Sequence, residues 1–268
     1  MTRFTSTFER LRADGVCGLF PYLTAGYPDR ATSRDLALAA LEAGADGFEI
    51  GVPFSDPLAD GATLQRANAR ALEGGATLDT ALELAQYIRA RAPDAPLALM
   101  TYSNPLLRRG ETGFARALAA AGADGAIVPD LPGEESASLG AALAAEGMDL
   151  VQMLAPTSPD IRLARVGALA RGFVYCVALV GVTGARDQVA GDLGPFLARV
   201  RAVTSTPLVV GFGISRPEHV HAVAAAGADG VIVASALVDL LERSGNDLQA
   251  ARIYLTEMKA ATTRAVLA

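Results

Sequence analysis

The stretch AGADGFEIGVPFSDPLADGATLQ, Ala43 to Gln65, holds the pattern on which the chain is built. Its first five residues close an Ala/Leu-rich helical pattern with glycine and a tight turn. The apolar run FEIGV that follows reads as a buried parallel strand. AGADG returns at 121–125 before AIVPD and at 226–230 before VIVAS, each time after another helical pattern. The intervals are whole multiples of a β–α unit of roughly 30–40 residues, so the repeat predicts an alternating α/β chain.

Working outward, eight strand candidates emerge: Gly18–Leu23, Gly47–Val52, Leu97–Tyr102, Gly125–Pro129, Leu150–Leu154, Phe173–Val177, Leu208–Gly211 and Val231–Ala234. Helical patterns separate them. Ser158-Pro159 predicts an N-cap with proline at the first helical position, and Ser215 to Glu218 predicts a capping box. Additional helices are expected near Thr7–Ala13 and from Leu248 to Val266. Eight βα units in 268 residues predict a (β/α)8 TIM barrel with extra N-terminal and C-terminal helices. No linker or charge run interrupts it, which predicts one domain over residues 1–268.

Composition narrows the function classes. Hydrophobic content of 51% supports a large core, and no apolar run is long enough to span a bilayer. The N-terminal segment lacks the apolar region of a signal peptide, so a cytoplasmic protein is expected. Cys17 and Cys176 form no disulfide framework or metal cluster and are expected to be buried thiols. A net charge of −6 without a basic stripe argues against nucleic-acid binding.

In a barrel of this kind the chemistry sits at the C-terminal strand ends and the loops beyond them. Strand alternation puts Glu49 on one face between Gly47 and Gly51, so it is a carboxylate without neighbours on a buried face. Asp60 lies on the polar loop leaving the same strand. A dry acid beside a solvated one suits acid/base work with separated pKa values. Tyr22, Thr24, Met100, Tyr102, Asn104 and Asp130 end or follow strands 1, 3 and 4, and Tyr175 shares a strand-6 face with Phe173 and Val177. Asn104-Pro105 alone would be an ordinary turn; joint placement on one rim is the informative feature.

Glycines gather in three late loops: Gly181 to Gly184, Gly211-Phe212-Gly213-Ile214-Ser215, and the Ala234-Ser235 junction. There, helix starts and bare backbone can receive an anion, as the loops after strands 7 and 8 do in phosphate-binding barrels. The span from Gly181 to Gly194 shows no clear helix and reads as a lid, with Thr183 and Arg186 as its polar contacts. Two routes are excluded. The only lysine, Lys259, belongs to the last helix, away from any strand end, so a Schiff base is not available. His219 and His221 are two apart on one helix, so they diverge and are expected at the surface.

Several motifs together resemble the tryptophan synthase alpha chain family over essentially the whole sequence: FPYLTAGYP at 20–28, FEIGVPFSDPLADG at 48–61, VPDLP at 128–132, LAPTSP at 154–159, GVTGAR at 181–186 and GFGIS at 211–215. The resemblance implies a lyase that cleaves indole-3-glycerol phosphate into indole and glyceraldehyde 3-phosphate. It implies Glu49 and Asp60 as the catalytic pair with Tyr175 nearby, and a phosphate site at Gly184, Gly213, Ile214 and Ser235. Phe212, Met100, Pro129 and Met153 would line the indole pocket, with Tyr22, Tyr102, Thr183 and Ala234 also at the substrate. The resemblance implies no metal or cofactor in this chain. A pyridoxal-phosphate beta subunit would dock through loops containing Pro53, Asp56 and Pro132, in an alpha2beta2 assembly. Two positions depart from the family's pattern: Ala234 replaces a glycine before the phosphate serine, and Ser103 replaces a larger residue. Two other readings stay open, another phosphate-sugar barrel enzyme and a chain that acts mainly as activator of its partner.

Overall fold

A computed structural model of the protein describes residues 2–177 and 189–263. The strands are β1 (Gly18–Thr24), β2 (Phe48–Gly51), β3 (Leu97–Met100), β4 (Gly125–Ile127), β5 (Asp149–Leu154), β6 (Val174–Val177), β7 (Leu208–Gly211) and β8 (Gly230–Val233). They pair in parallel in sequence order, and β8 returns to β1 to close the barrel. The helices of the first half are α1 (Arg3–Ala13), α2 (Arg30–Glu42), α3 (Ala62–Glu73), α4 (Leu78–Arg89), α5 (Ser103–Arg109) and α6 (Glu111–Ala120). Those of the second half are α7 (Ala137–Ala145), α8 (Asp160–Leu169), α9 (Val189–Arg201), α10 (Pro217–Ala225), α11 (Ser235–Ser244) and α12 (Leu248–Ala260). None of the described helices is long and apolar enough to cross a membrane.

The AGADG repeat proves to be a clamp on the barrel floor. Its second residue, Gly44, Gly122 or Gly227, takes a positive φ that ends the helix. Its aspartate then reaches the start of the neighbouring strand. Asp46 accepts from Leu19 N–H, Asp124 from Leu97 N–H and Asp229 from Leu208 N–H, at 2.8–2.9 Å. Each carboxylate also meets a cation: Lys259 at Asp46, Arg89 at Asp124, Arg201 at Asp229. Lys259 is thereby held at the N-terminal strand ends, opposite the predicted site. Below the strands α1 plugs the barrel with Phe4, Phe8 and Leu11, and its rings begin an aromatic column through Phe173 to Tyr175.

Several local expectations need correction. The strands run one or two residues shorter at some ends, and the first helix begins at Arg3 because Phe4 and Phe8 bury together against the barrel floor. In α8, Pro159 is itself the N-cap and Ser158 instead accepts from Ala155 N–H at 3.1 Å. No capping box forms at α10: its N-cap is Arg216, while Ser215 N–H donates to His219 Nδ1 at 3.3 Å. His219 is therefore half-buried at that turn instead of free on the surface; His221 is exposed. The span from Gly181 to Gly194 is not helix-free, since α9 starts at Val189 and runs through Pro195. Burial of Leu193, Phe196, Leu197 and Val200 outweighs the local glycine and proline signals. The last helix ends at Ala260, short of Val266, which lies outside the described residues.

Candidate functional site

A cleft of about 690 Å3 opens at the C-terminal ends of the strands. Tyr22, Glu49, Met100, Met153 and Tyr175 enter it from strands, Asp60, Pro129, Phe212, Gly213, Ile214 and Ala234 come from the loops, and Ser235 from the first turn of α11. The register explains the convergence. Glu49 pairs with Tyr22 on one side and Ala98 on the other, and Tyr175 pairs with Met153 and Val209, so these side chains occupy the inward face. Space for the phenols comes from missing side chains. A Cβ on Gly51 would lie 1.9 Å from the Tyr22 hydroxyl, and one on Gly211 2.1 Å from that of Tyr175.

Glu49 is 4% exposed, and its Oε2 is buried without any hydrogen-bond partner. Burial, and then the charge of Asp60, pushes its pKa from 4.5 to about 8, so it carries its proton at neutral pH. Asp60 corrects the expectation of a solvated acid: it is only 8% exposed. Burial pushes it to about 6, opposed by hydrogen bonds from the Tyr102 hydroxyl and the Asn68 amide. The Asn68 bond measures 2.9 Å. Asp60 also directly precedes Gly61, the N-cap of α3, where the helix dipole favours a negative charge. The two acids are both dry, and their pKa values still straddle neutrality. Tyr22 and Tyr175 are raised well above 10 by burial first, then by the nearby acids, which leaves them as neutral hydroxyls.

At the opposite wall the backbone is unusual. Phe212 and Gly213 have φ of 74° and 75°, and a left-handed phenylalanine costs about 1–2 kcal/mol. The Phe212 ring leans edge-on toward Tyr175, centroids 6.1 Å apart. Beside it α11 begins at Ser235 after Ala234, with no side chain capping its first N–H groups. An uncapped helix start lining a cleft can receive an anion.

Other predicted residues fall elsewhere. Tyr102 does not line the cleft: its ring stacks on Phe54 at 5.2 Å and its hydroxyl accepts from Ala59 N–H at 3.1 Å. Thr24 is buried outside the cleft wall. Asp130 accepts from Ser103 N–H at 2.9 Å and so anchors the start of α5. Asn104 belongs to a separate groove with Pro53, Pro105 and Arg108. Pro53 is buried, whereas Asp56 and Pro132 are exposed. Thr183, Gly184 and Arg186 lie outside the described residues. Sequence reading missed Ala59, Gly61, Leu64, Ile127 and Ile232 in the wall. Ile127 and Ile232 stand two residues before Pro129 and Ala234, so strand periodicity was a signal that could have found them. Among the described residues no group of three or more His, Cys, Asp or Glu is placed to hold a metal ion.

Residues 8–266 match the family described as "Tryptophan synthase alpha chain". The tryptophan synthase alpha chain of Chloroflexus aggregans is 51% identical over 266 residues, covering 98% of this chain and 99% of that one. That of Roseiflexus castenholzii is 54% identical over 244 residues, 91% of this chain and 93% of the relative. Among solved structures, Mycobacterium tuberculosis tryptophan synthase superposes with a TM-score of 0.90 at 39% identity, covering 98% of this chain and 99% of that chain. Tryptophan synthase subunit alpha from Legionella pneumophila gives 0.89 at 34%, with 98% of each chain covered. By its sequence over nearly its full length and by its barrel, the chain belongs to the tryptophan synthase alpha chain family.

Proposed function

We propose that Glu49 and Asp60 divide the acid and base work of the carbon–carbon lyase reaction of this family, cleavage of indole-3-glycerol phosphate to indole and glyceraldehyde 3-phosphate. The observation that carries this reading is a buried Glu49, its Oε2 without a hydrogen-bond partner, lining the same cleft as an Asp60 that Asn68 holds by a hydrogen bond. Burial, which raises Glu49 to about 8 and Asp60 only to about 6, fits a protonated acid beside an ionised one. Glu49 donates its proton to ring carbon C3, which turns the indole into an indoleninium. Asp60 accepts the hydrogen bond of the ring N–H and offsets the positive charge that develops there. The Glu49 carboxylate then takes the proton of the side-chain hydroxyl next to the ring. The C3–C1′ bond breaks, its electron pair returns to the ring nitrogen, indole and aldehyde separate, and Glu49 is reprotonated. Acid/base assistance of this kind is worth ~10²–10⁴ in rate. Tyr175 closes the wall beside the acids. Gly213, Ile214, Ala234 and Ser235, with Gly184, hold the phosphate, while Met100, Pro129, Met153 and Phe212 pack on the indole.

No cofactor in this chain enters those steps, and pyridoxal phosphate is assigned to the beta-subunit partner. We infer a cytoplasmic alpha2beta2 assembly docked through the loops containing Pro53, Asp56 and Pro132. Asp56 and Pro132 are exposed, and Leu58, 86% exposed two residues after Asp56, supports that loop as a place for a protein surface. The test is indole release from indole-3-glycerol phosphate by the purified chain, alone and with a beta subunit. Wild-type turnover that falls by two orders of magnitude or more in Glu49→Gln supports the assignment; turnover within a fewfold of wild type removes Glu49 as the acid.

A further inference from the structure

Asn68 lies on α3 with 2% of its surface exposed, and all three of its polar contacts are inside the protein. Its amide nitrogen donates to Asp60 Oδ2 at 2.9 Å and to the Leu64 carbonyl at 2.9 Å. Its amide oxygen accepts from Phe54 N–H at 3.3 Å. Two of these partners allow one role each, because a peptide N–H only donates and a carbonyl only accepts. They set the orientation of the amide, so the end presented to Asp60 is a donor. An ionised carboxylate satisfies that donor with either oxygen, whereas a protonated one offers only the oxygen without the proton.

We propose that Asn68 is a positioning residue for the lyase reaction, holding Asp60 ionised and aimed into the cleft while tying it to the Phe54 segment. This rests on the reading of Asp60 given above. Among the described residues no cation pairs with Asp60, and the titratable groups around it are Glu49 from β2, Tyr22 from β1, Tyr102 after β3 and Tyr175 from β6. Each of these is neutral near pH 7, so hydrogen bonds must hold the charge. Tyr102 supplies one and Asn68 the other. Both also reach Phe54, Tyr102 by ring stacking and Asn68 through the backbone, so the carboxylate is braced from two sides of one loop. Gln65 adds a third tie, its amide donating to the Asp60 carbonyl at 2.9 Å.

The experiment measures kcat/KM for indole release against pH in wild type, Asn68→Ala, Asn68→Ser, Asp60→Asn and the Asn68→Ala/Asp60→Asn double variant. Serine is too short to reach Asp60 but keeps a polar group at the site, which covers the case in which alanine fails to fold. The acid limb, set by Asp60, should move to higher pH by about one pH unit in both single Asn68 variants. Activity at pH 6 then falls about fivefold and the deficit shrinks as pH rises, while the alkaline limb stays in place. In the Asp60→Asn background the alanine substitution should cost less than about twofold, because its route of action is gone. A residue with only a structural role would lower activity equally at every pH and would add its full effect to that of Asp60→Asn. Either pattern, in a wild type that turns over, overturns the proposal. A wild type that releases no indole overturns the lyase reading beneath it.

Discussion

Replacing Glu49 by glutamine should stabilise the protein, and by an amount that depends on pH. In the folded chain burial raises this acid from 4.5 to about 8. Its folded-state pKa is therefore above its unfolded one, so the folded state binds its proton more tightly. The resulting stability is complete below about pH 4.5, where both states are protonated, and is lost as pH rises through the folded value near 8. At 1.36 kcal/mol per pH unit the whole loss amounts to about 5 kcal/mol, of which about 3 kcal/mol has gone by pH 7. Glutamine has nearly the same shape and does not titrate. The difference in unfolding free energy between Glu49→Gln and wild type should thus widen steadily from pH 5 to pH 8 and then level off. Urea unfolding at pH 5, 6.5 and 8 measures it; any fixed cost of burying the new amide shifts all three values together and leaves the trend intact. A difference that stays constant across this range would refute the claim that Glu49 is held protonated by its dry setting. The reaction scheme would lose its acid with it.

With Asp60 at about 6 and Glu49 at about 8, kcat/KM should follow a bell between those values, falling on the acid side as Asp60 protonates and on the alkaline side as Glu49 ionises. Gly51→Ala or Gly211→Ala should displace the Tyr22 or Tyr175 ring, since the new Cβ would sit 1.9 or 2.1 Å from the hydroxyl. A stability loss of about 1–3 kcal/mol in thermal unfolding and a weakened indole-release assay are expected. Asp124→Ala removes the acceptor of Leu97 N–H and the partner of Arg89 at 2.8 Å, and should cost about 3–5 kcal/mol in urea unfolding while the remaining folded protein keeps its pH–rate profile.

The AGADG repeats made the alternating α/β chain legible and the count of eight strand patterns made it a barrel, because helix stop, turn glycine and apolar strand are local features. Their aspartates were not legible as floor clamps: the N–H that Asp124 binds belongs to Leu97, a strand earlier in the chain. The convergence of Tyr22, Glu49, Met100, Met153 and Tyr175 could be anticipated, since any parallel barrel brings its C-terminal strand ends to one mouth. The setting of Tyr102 was not legible, for the complementary reason. The residue follows the right strand, but its ring turns onto Phe54, a contact between loops that no periodicity encodes.

What the chain's pattern determined alone was the order of elements, the rim on which the acids stand and the family to which the motifs point, all of them consequences of short-range spacing. The tertiary structure decided how those acids behave. Asp60 looked solvated on its own loop and is buried because Asn68 and Tyr102 arrive from α3 and from beyond β3. A pKa depends on every group that displaces water from around a carboxyl, and those groups meet only when the barrel has closed.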